Sequence, residues 1–90
     1  MDVRNNIELS RYELLKDDRV VGVADYYPRD GVLVFPHTEI LPELRGRGLG
    51  AILVRGALED VRRNGGRIVP ACWFVAEFVE ANPEFGDLVA

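Results

Sequence analysis

The stretch 41-LPELRGRGLGAILVRG-56 sets Gly46, Gly48 and Gly50 around Arg45 and Arg47, directly ahead of an apolar run of helical period. A chain that loosens its backbone and gathers positive charge where a helix begins is suited to an anion. The first N–H groups of a helix have no intrahelical partner, and the macrodipole places partial positive charge there. Glycines let the backbone approach a phosphate closely, and an arginine fork can hold its oxygens. The plainer alternative is a tight strand-to-helix turn. Three glycines and two arginines exceed what such a turn needs.

Working outward, Gly48 to Asn64 reads as a helix of about four turns. Leu49, Ile52, Leu53, Ala57, Leu58 and Val61 supply its apolar side, while Arg55, Glu59, Arg62 and Arg63 supply the wet one. Glu59 and Arg63 stand in the favourable i,i+4 order, and Gly65-Gly66 stops the run. Upstream, 7-IELSRYELL-15 reads as a strand with a parity slip near Ser10-Arg11, and 20-VVGVADYY-27 as a second. After the Pro28–Gly31 turn comes a third, 32-VLVFPHTEIL-41, where Pro36 implies an edge position or a bulge. These make an antiparallel meander.

Downstream, 67-RIVPA-71 is a short buried strand, so that the helix forms a parallel crossover. Residues 73-WFVAEFVEA-81 form a second helix in which Trp73, Phe74 and Phe78 read as core. Asn82-Pro83 opens a last short turn as N-cap and first helical residue. The expected class is a mixed α/β sheet over residues 1–90 as a single domain.

The chain has 90 residues, 48% hydrophobic and 29% charged, which is a globular composition. Its formal charge of −4 argues against a general nucleic-acid binder. No apolar run reaches the ~20 residues of a membrane span, and Met1-Asp2-Val3-Arg4 does not open a signal peptide. A single cysteine forms neither an internal disulfide nor a cysteine-rich zinc site, and no metal is expected. The default location is cytoplasmic, and a monomer or a homodimer fits equally.

Three glycine-rich phosphate motifs compete for the loop. A P-loop requires a lysine after its glycines, and none follows here. Gly46, Gly48 and Ala51 fit the dinucleotide spacing, but five residues, Pro42 among them, separate Ile40 from Gly46 where such a turn is tight. The strand 67-RIVPA-71 also lacks the acidic residue that would hold a ribose.

The third motif fits best. Arg45-Gly46-Arg47-Gly48-Leu49-Gly50 resembles the [QR]-x-x-G-x-[GA] coenzyme A pyrophosphate loop of the GNAT superfamily of N-acetyltransferases. Strand order and the approach 39-EILPELRG-46 resemble that family as well. His37-Thr38, Pro70-Ala71-Cys72 and Asn82-Pro83-Glu84-Phe85 are similar to a branch of small members, and the resemblance spans roughly residues 7 to 88.

The resemblance implies acetyl transfer from acetyl-CoA to an amine acceptor, a small molecule or a protein. Backbone N–H groups of residues 45 to 51 (Arg45, Gly46, Arg47, Gly48, Leu49, Gly50, Ala51) would hold the pyrophosphate. The pantetheine arm would pair along Glu39–Leu41, with an N–H of Ile40 or Leu41 stabilising the oxyanion. Cys72 is either an acyl-accepting nucleophile or a small buried apolar residue beside Trp73 and Phe74. His37 is the sole histidine and the candidate base, and Glu39, two residues on along the same strand face, is the candidate for one-step deprotonation.

Arg62 and Arg63 read as a solvated face that could reach a nucleotide phosphate. Fuller members of the superfamily carry helices between their first two strands. Here Lys16 to Arg19 alone would separate them, leaving the acceptor side open. A CoA-binding or regulatory module without turnover is the alternative, and a small interaction domain whose glycine loop is only a turn is the third reading.

Overall fold

In the computed structural model, which describes residues 1–90, the chain folds into one five-stranded sheet in the order β1-β2-β3-β4-β5. The strands are β1 (Asp2–Asn6), β2 (Arg11–Lys16), β3 (Arg19–Arg29), β4 (Val32–Ile40) and β5 (Ile68–Val69). Strands β1 to β4 run antiparallel to their neighbours, and β5 joins β4 in parallel. The helices are α1 (Leu49–Arg63) and α2 (Trp73–Ala81), with 3-10 turns at Ile7–Leu9, Pro42–Leu44 and Pro83–Leu88. The expected mixed class and parallel crossover are both present.

Three details differ from the sequence expectation, while at Pro36 the bulge, one of its two expected readings, is present. Residues 2–6 form an extra edge strand, although only Val3 among them is apolar. Ile7–Leu9 is a 3-10 turn instead of a strand, because the Asn6 side chain accepts the Leu9 N–H at 3.2 Å and Ser10 turns back with φ of 52°. The short link that stands between the first two strands is therefore Ile7–Ser10, not Lys16–Arg19. Pro36 lies in an interior strand, within a bulge where the β3–β4 register shifts between Asp25 and Tyr27.

Helix α1 matches its expected limits, with Gly48 and Asn64 as its caps. Gly65 N–H donates to Arg62 O and Gly66 N–H to Val61 O, a Schellman ending. Leu49, Leu53, Val54, Ala57, Leu58 and Val61 face inward. Ile52 stands outward instead, 44% exposed. Arg63 pairs with Asp60 at 3.1 Å, at i,i+3, instead of with Glu59 at i,i+4.

The core lies between the sheet and α1. Tyr12, Leu14, Ala24 and Phe35 rise from the sheet to meet the helix, and Tyr12 Oη donates to Asp60 Oδ2 at 2.7 Å. Burial and that carboxylate together hold the Tyr12 phenol far above its ordinary range. Helix α2 and the last turn pack on the flank of α1 through Val75, Phe78, Phe85 and Leu88. Arg55 lies over the Phe78 and Phe85 rings, at 5.5 and 5.4 Å from their centroids. Asn82 closes α2, its amide donating to Phe78 O at 2.8 Å, and provides no side-chain cap for the turn that follows.

By strand alternation, Arg4, Glu13, Val23, Asp25, His37 and Glu39 point to the other face of the sheet. That face carries no helix. Glu13 is nonetheless only 1% exposed, because Arg4 and Arg11 close over it, each with Nε at 2.8 Å from a carboxylate oxygen. Burial pushes its carboxyl group up, but hydrogen bonds from Arg11, Arg4 and Asn6 outweigh that and hold it below its ordinary value.

Candidate active site

Strand β5 pairs with β4 only at Leu33 and Val34. One more link follows, from Cys72 N–H to Phe35 O at 2.8 Å, and then the two chains separate. A cleft of about 750 Å³ opens at the split, walled by residues 36–40, by the loop 44–51 and by residues 71–74.

The hydrogen-bond alternation of β4 decides what its open edge offers. Leu41 N–H donates to Val21 O at 3.0 Å, and Val23 faces Glu39 while Asp25 faces His37. Antiparallel pairing then turns the amide groups of His37 and Glu39 toward β3 and those of Thr38 and Ile40 toward the cleft. The expectation of Leu41 as an oxyanion donor is corrected, since its N–H is already bonded. Ile40 N–H faces the opening, while its carbonyl accepts Arg45 Nε at 3.2 Å. Thr38, marked in the sequence only as part of His37-Thr38 and with no site role, also lines the cleft, and its Oγ1 is buried with no hydrogen-bond partner.

The loop reaches α1 through two left-handed residues, Gly46 with φ of 80° and Gly48 with φ of 76°. Arg45 N–H donates to Pro42 O, and the N–H groups of residues 46–51 donate to no other group of the protein. Arg47 is exposed and forms no ion pair. Leu49 is buried by its side chain, so its contribution to the cleft is its N–H. Gly50 has a separate reason for being glycine: a Cβ there would lie 2.7 Å from Phe74 Cζ.

His37 and Glu39 meet on the helix-free face, with His37 Nε2 3.0 Å from Glu39 Oε1, both side chains more than half exposed. The bulge at Pro36 precedes them, so the alternation that pairs them is intact. Cys72 is half-buried at the N-cap of α2 and lines the same cleft. Its Sγ has no hydrogen bond to His37, whose ring is held by Glu39. Trp73, expected in the core, is 71% exposed at the cleft rim. Arg62 and Arg63 are engaged elsewhere, by Asp87 and Asp60.

The parallel strand pair that parts beside a glycine-lined helix start belongs to a mixed α/β domain of minimal form. Residues 11–88 match the family described as GCN5-related N-acetyl-transferase, and the chain belongs to it. That family generally uses acetyl-CoA. Among curated relatives, the chain is 33% identical over 66 residues to Protein NATD1 of Bos taurus, a match covering 73% of this chain and 58% of that one. It is 30% identical over 66 residues to Protein NATD1 of Gallus gallus and of Homo sapiens, covering 73% of this chain and 59% and 58% of theirs. The match thus spans under two thirds of each relative's length.

Proposed function

We propose that the cleft binds acetyl-CoA and that the chain transfers its acetyl group to an amine. The observation that carries this reading is the run of unbonded N–H groups from Gly46 to Ala51 at the cleft mouth. The first N–H groups of a helix have no intrahelical partner, and a pyrophosphate would satisfy this run together with Arg47. The outward amides of Thr38 and Ile40 offer the amide-rich pantetheine arm a strand edge to pair with.

Glu39, held by His37, takes the proton from the incoming ammonium, directly or through a water. The freed amine nitrogen attacks the thioester carbonyl carbon, and Ile40 N–H donates to the oxyanion that forms. The carbon–sulfur bond then breaks, and coenzyme A leaves as a thiolate that takes up the second proton, lost from the former amine nitrogen, so that a neutral amide and a free thiol result. Direct transfer is preferred over a route through Cys72 because the sulfur has no base bonded to it.

The second reading, a CoA-binding module without turnover, draws on the helix-free face. No wall there encloses a small acceptor beside His37 and Glu39. Calorimetric titration with acetyl-CoA tests the ligand, and single-site saturation is expected. Absence of binding at millimolar ligand would remove both readings. Transfer of labelled acetyl to an amine separates the enzyme from the module.

A further inference from the structure

Trp73 is the only tryptophan in the chain, and it stands 71% exposed where a side chain of its size is ordinarily mostly covered. Its ring is nevertheless held in place. It meets Phe74 edge-on, with centroids 6.0 Å apart and planes at 79°. Phe74 in turn is set against Gly50, in the first turn of α1. A continuous series of contacts therefore runs from the free N–H groups to the indole. Trp73 also stands where two cavities meet. Together with Ala51 and Phe74 it lines both the cleft and a groove of about 850 Å³ between α1 and α2.

We propose that Trp73 is the stacking platform for the adenine ring of the acyl-CoA donor. The inference rests on the acetyl-CoA reading above and adds a residue that selects the nucleotide half of that ligand. A pyrophosphate on residues 46–51 has two ends. The pantetheine end enters the cleft toward Thr38 and Ile40, so the adenosine end leaves across Ala51 toward the groove. The groove does not suit another phosphate, because its two arginines are engaged: Arg55 bonds Asn82 at 2.9 Å and Arg63 bonds Asp60 at 3.1 Å. It suits an uncharged aromatic ring. Glu77 lies four residues after Trp73, on the same side of α2, and lines the groove. Its carboxylate is an acceptor for the exocyclic amino group of adenine.

The single tryptophan makes the test direct. The intact protein is titrated with coenzyme A and with 4′-phosphopantetheine, which lacks the adenosine together with the phosphates it carries, following fluorescence and heat. Coenzyme A is expected to quench the tryptophan to saturation, whereas 4′-phosphopantetheine binds without quenching. Trp73→Ala is expected to weaken coenzyme A binding roughly ten-fold or more, the scale of one base–aromatic stack. The same variant leaves 4′-phosphopantetheine unchanged, and Trp73→Phe, which keeps an aromatic face, recovers most of the loss. Because the side chain is exposed, circular dichroism should report an intact fold in both variants. Equal loss for the two ligands in Trp73→Ala, or no loss for either, would overturn the platform and leave the acetyl-CoA reading standing. Failure of wild-type protein to bind either ligand would overturn the acetyl-CoA reading and the platform with it.

Discussion

Gly50→Ala separates two reasons for a glycine in the loop. In an ordinary helix position the change stabilises by about 0.5–1 kcal/mol, because alanine loses less backbone entropy on folding. At residue 50 the new methyl carbon would stand 2.7, 3.1 and 3.5 Å from Phe74 Cζ, Cε2 and Cε1. Relief requires the ring to move by about 1 Å, and overpacking of that kind costs about 1–3 kcal/mol. The net expectation is a loss of about 0–2 kcal/mol, read by urea denaturation, with the melting temperature falling by several degrees. Shortening the ring as Phe74→Leu removes the obstacle. In that background Gly50→Ala should return to the stabilising sign, giving a double-mutant coupling of about 1–3 kcal/mol. Because the Gly50 N–H persists in alanine, the double variant should bind acetyl-CoA as Phe74→Leu alone does. The reasoning is refuted if Gly50→Ala stabilises the wild-type background fully. It is also refuted if acetyl-CoA binding is lost with or without Phe74, which would mean that the ligand itself needs the bare Cα.

Gly48→Glu should abolish acetyl-CoA binding, while Gly48→Ala, which bears the same left-handed strain of about 1 kcal/mol, should retain it; calorimetry on both isolates the added charge. Cys72→Ala should bind acetyl-CoA normally and keep most of its transfer activity, and loss of turnover with binding intact would move the chemistry to the sulfur. Tyr12→Phe leaves Asp60 without its 2.7 Å donor and should cost about 1.5–3 kcal/mol, measured by chemical denaturation. Glu13→Gln should cost about 1–3 kcal/mol near neutral pH. The folded Glu13 carboxyl group lies below its ordinary 4.5, so its stabilisation is complete above that value and is lost as pH falls through the folded one. Denaturation of the wild type and of Glu13→Gln should therefore converge as pH falls from the ordinary carboxyl range through the lowered folded value, and curves that stay parallel throughout acid titration would contradict the assignment.

The helix of 49–63 was legible because everything that defines it is local: a left-handed glycine before it, a 3.6-residue apolar period and a glycine pair after it. Strand β1 was not, since Asp2, Arg4, Asn5 and Asn6 give no apolar alternation. It forms because β2, paired with β3 on one side, presents its other edge free, and Val3 fits beneath Gly56 of α1. Ile7 and Leu9 misled in the opposite direction. Their parity suggests a strand, but both are exposed and a side-chain bond from Asn6 closes the turn. Trp73 misled for a related reason: apolar character marks what water disfavours, not which neighbours have room to cover it.

The site divides along the same line. The glycine loop and its free N–H groups could be read from residue types, because unpaired N–H groups at a helix start are a property of that segment alone. Which β4 amides face the cleft could not be read. That depends on register, and one residue of slip exchanges Thr38 and Ile40 for Glu39 and Leu41. The register depends on the β3–β4 irregularity between Asp25 and Tyr27, on the preceding strand, where Asp25 lies twelve residues earlier in the chain than His37. The face bearing His37 and Glu39 depends on distant residues too. With Ile7–Leu9 alone between β1 and β2, no helix shields that side of the sheet. Arg4 and Arg11 lie across it instead, drawn down by Glu13. A sheet covered in this way, by two side chains in place of a helix, leaves His37 and Glu39 in the open, each more than half exposed.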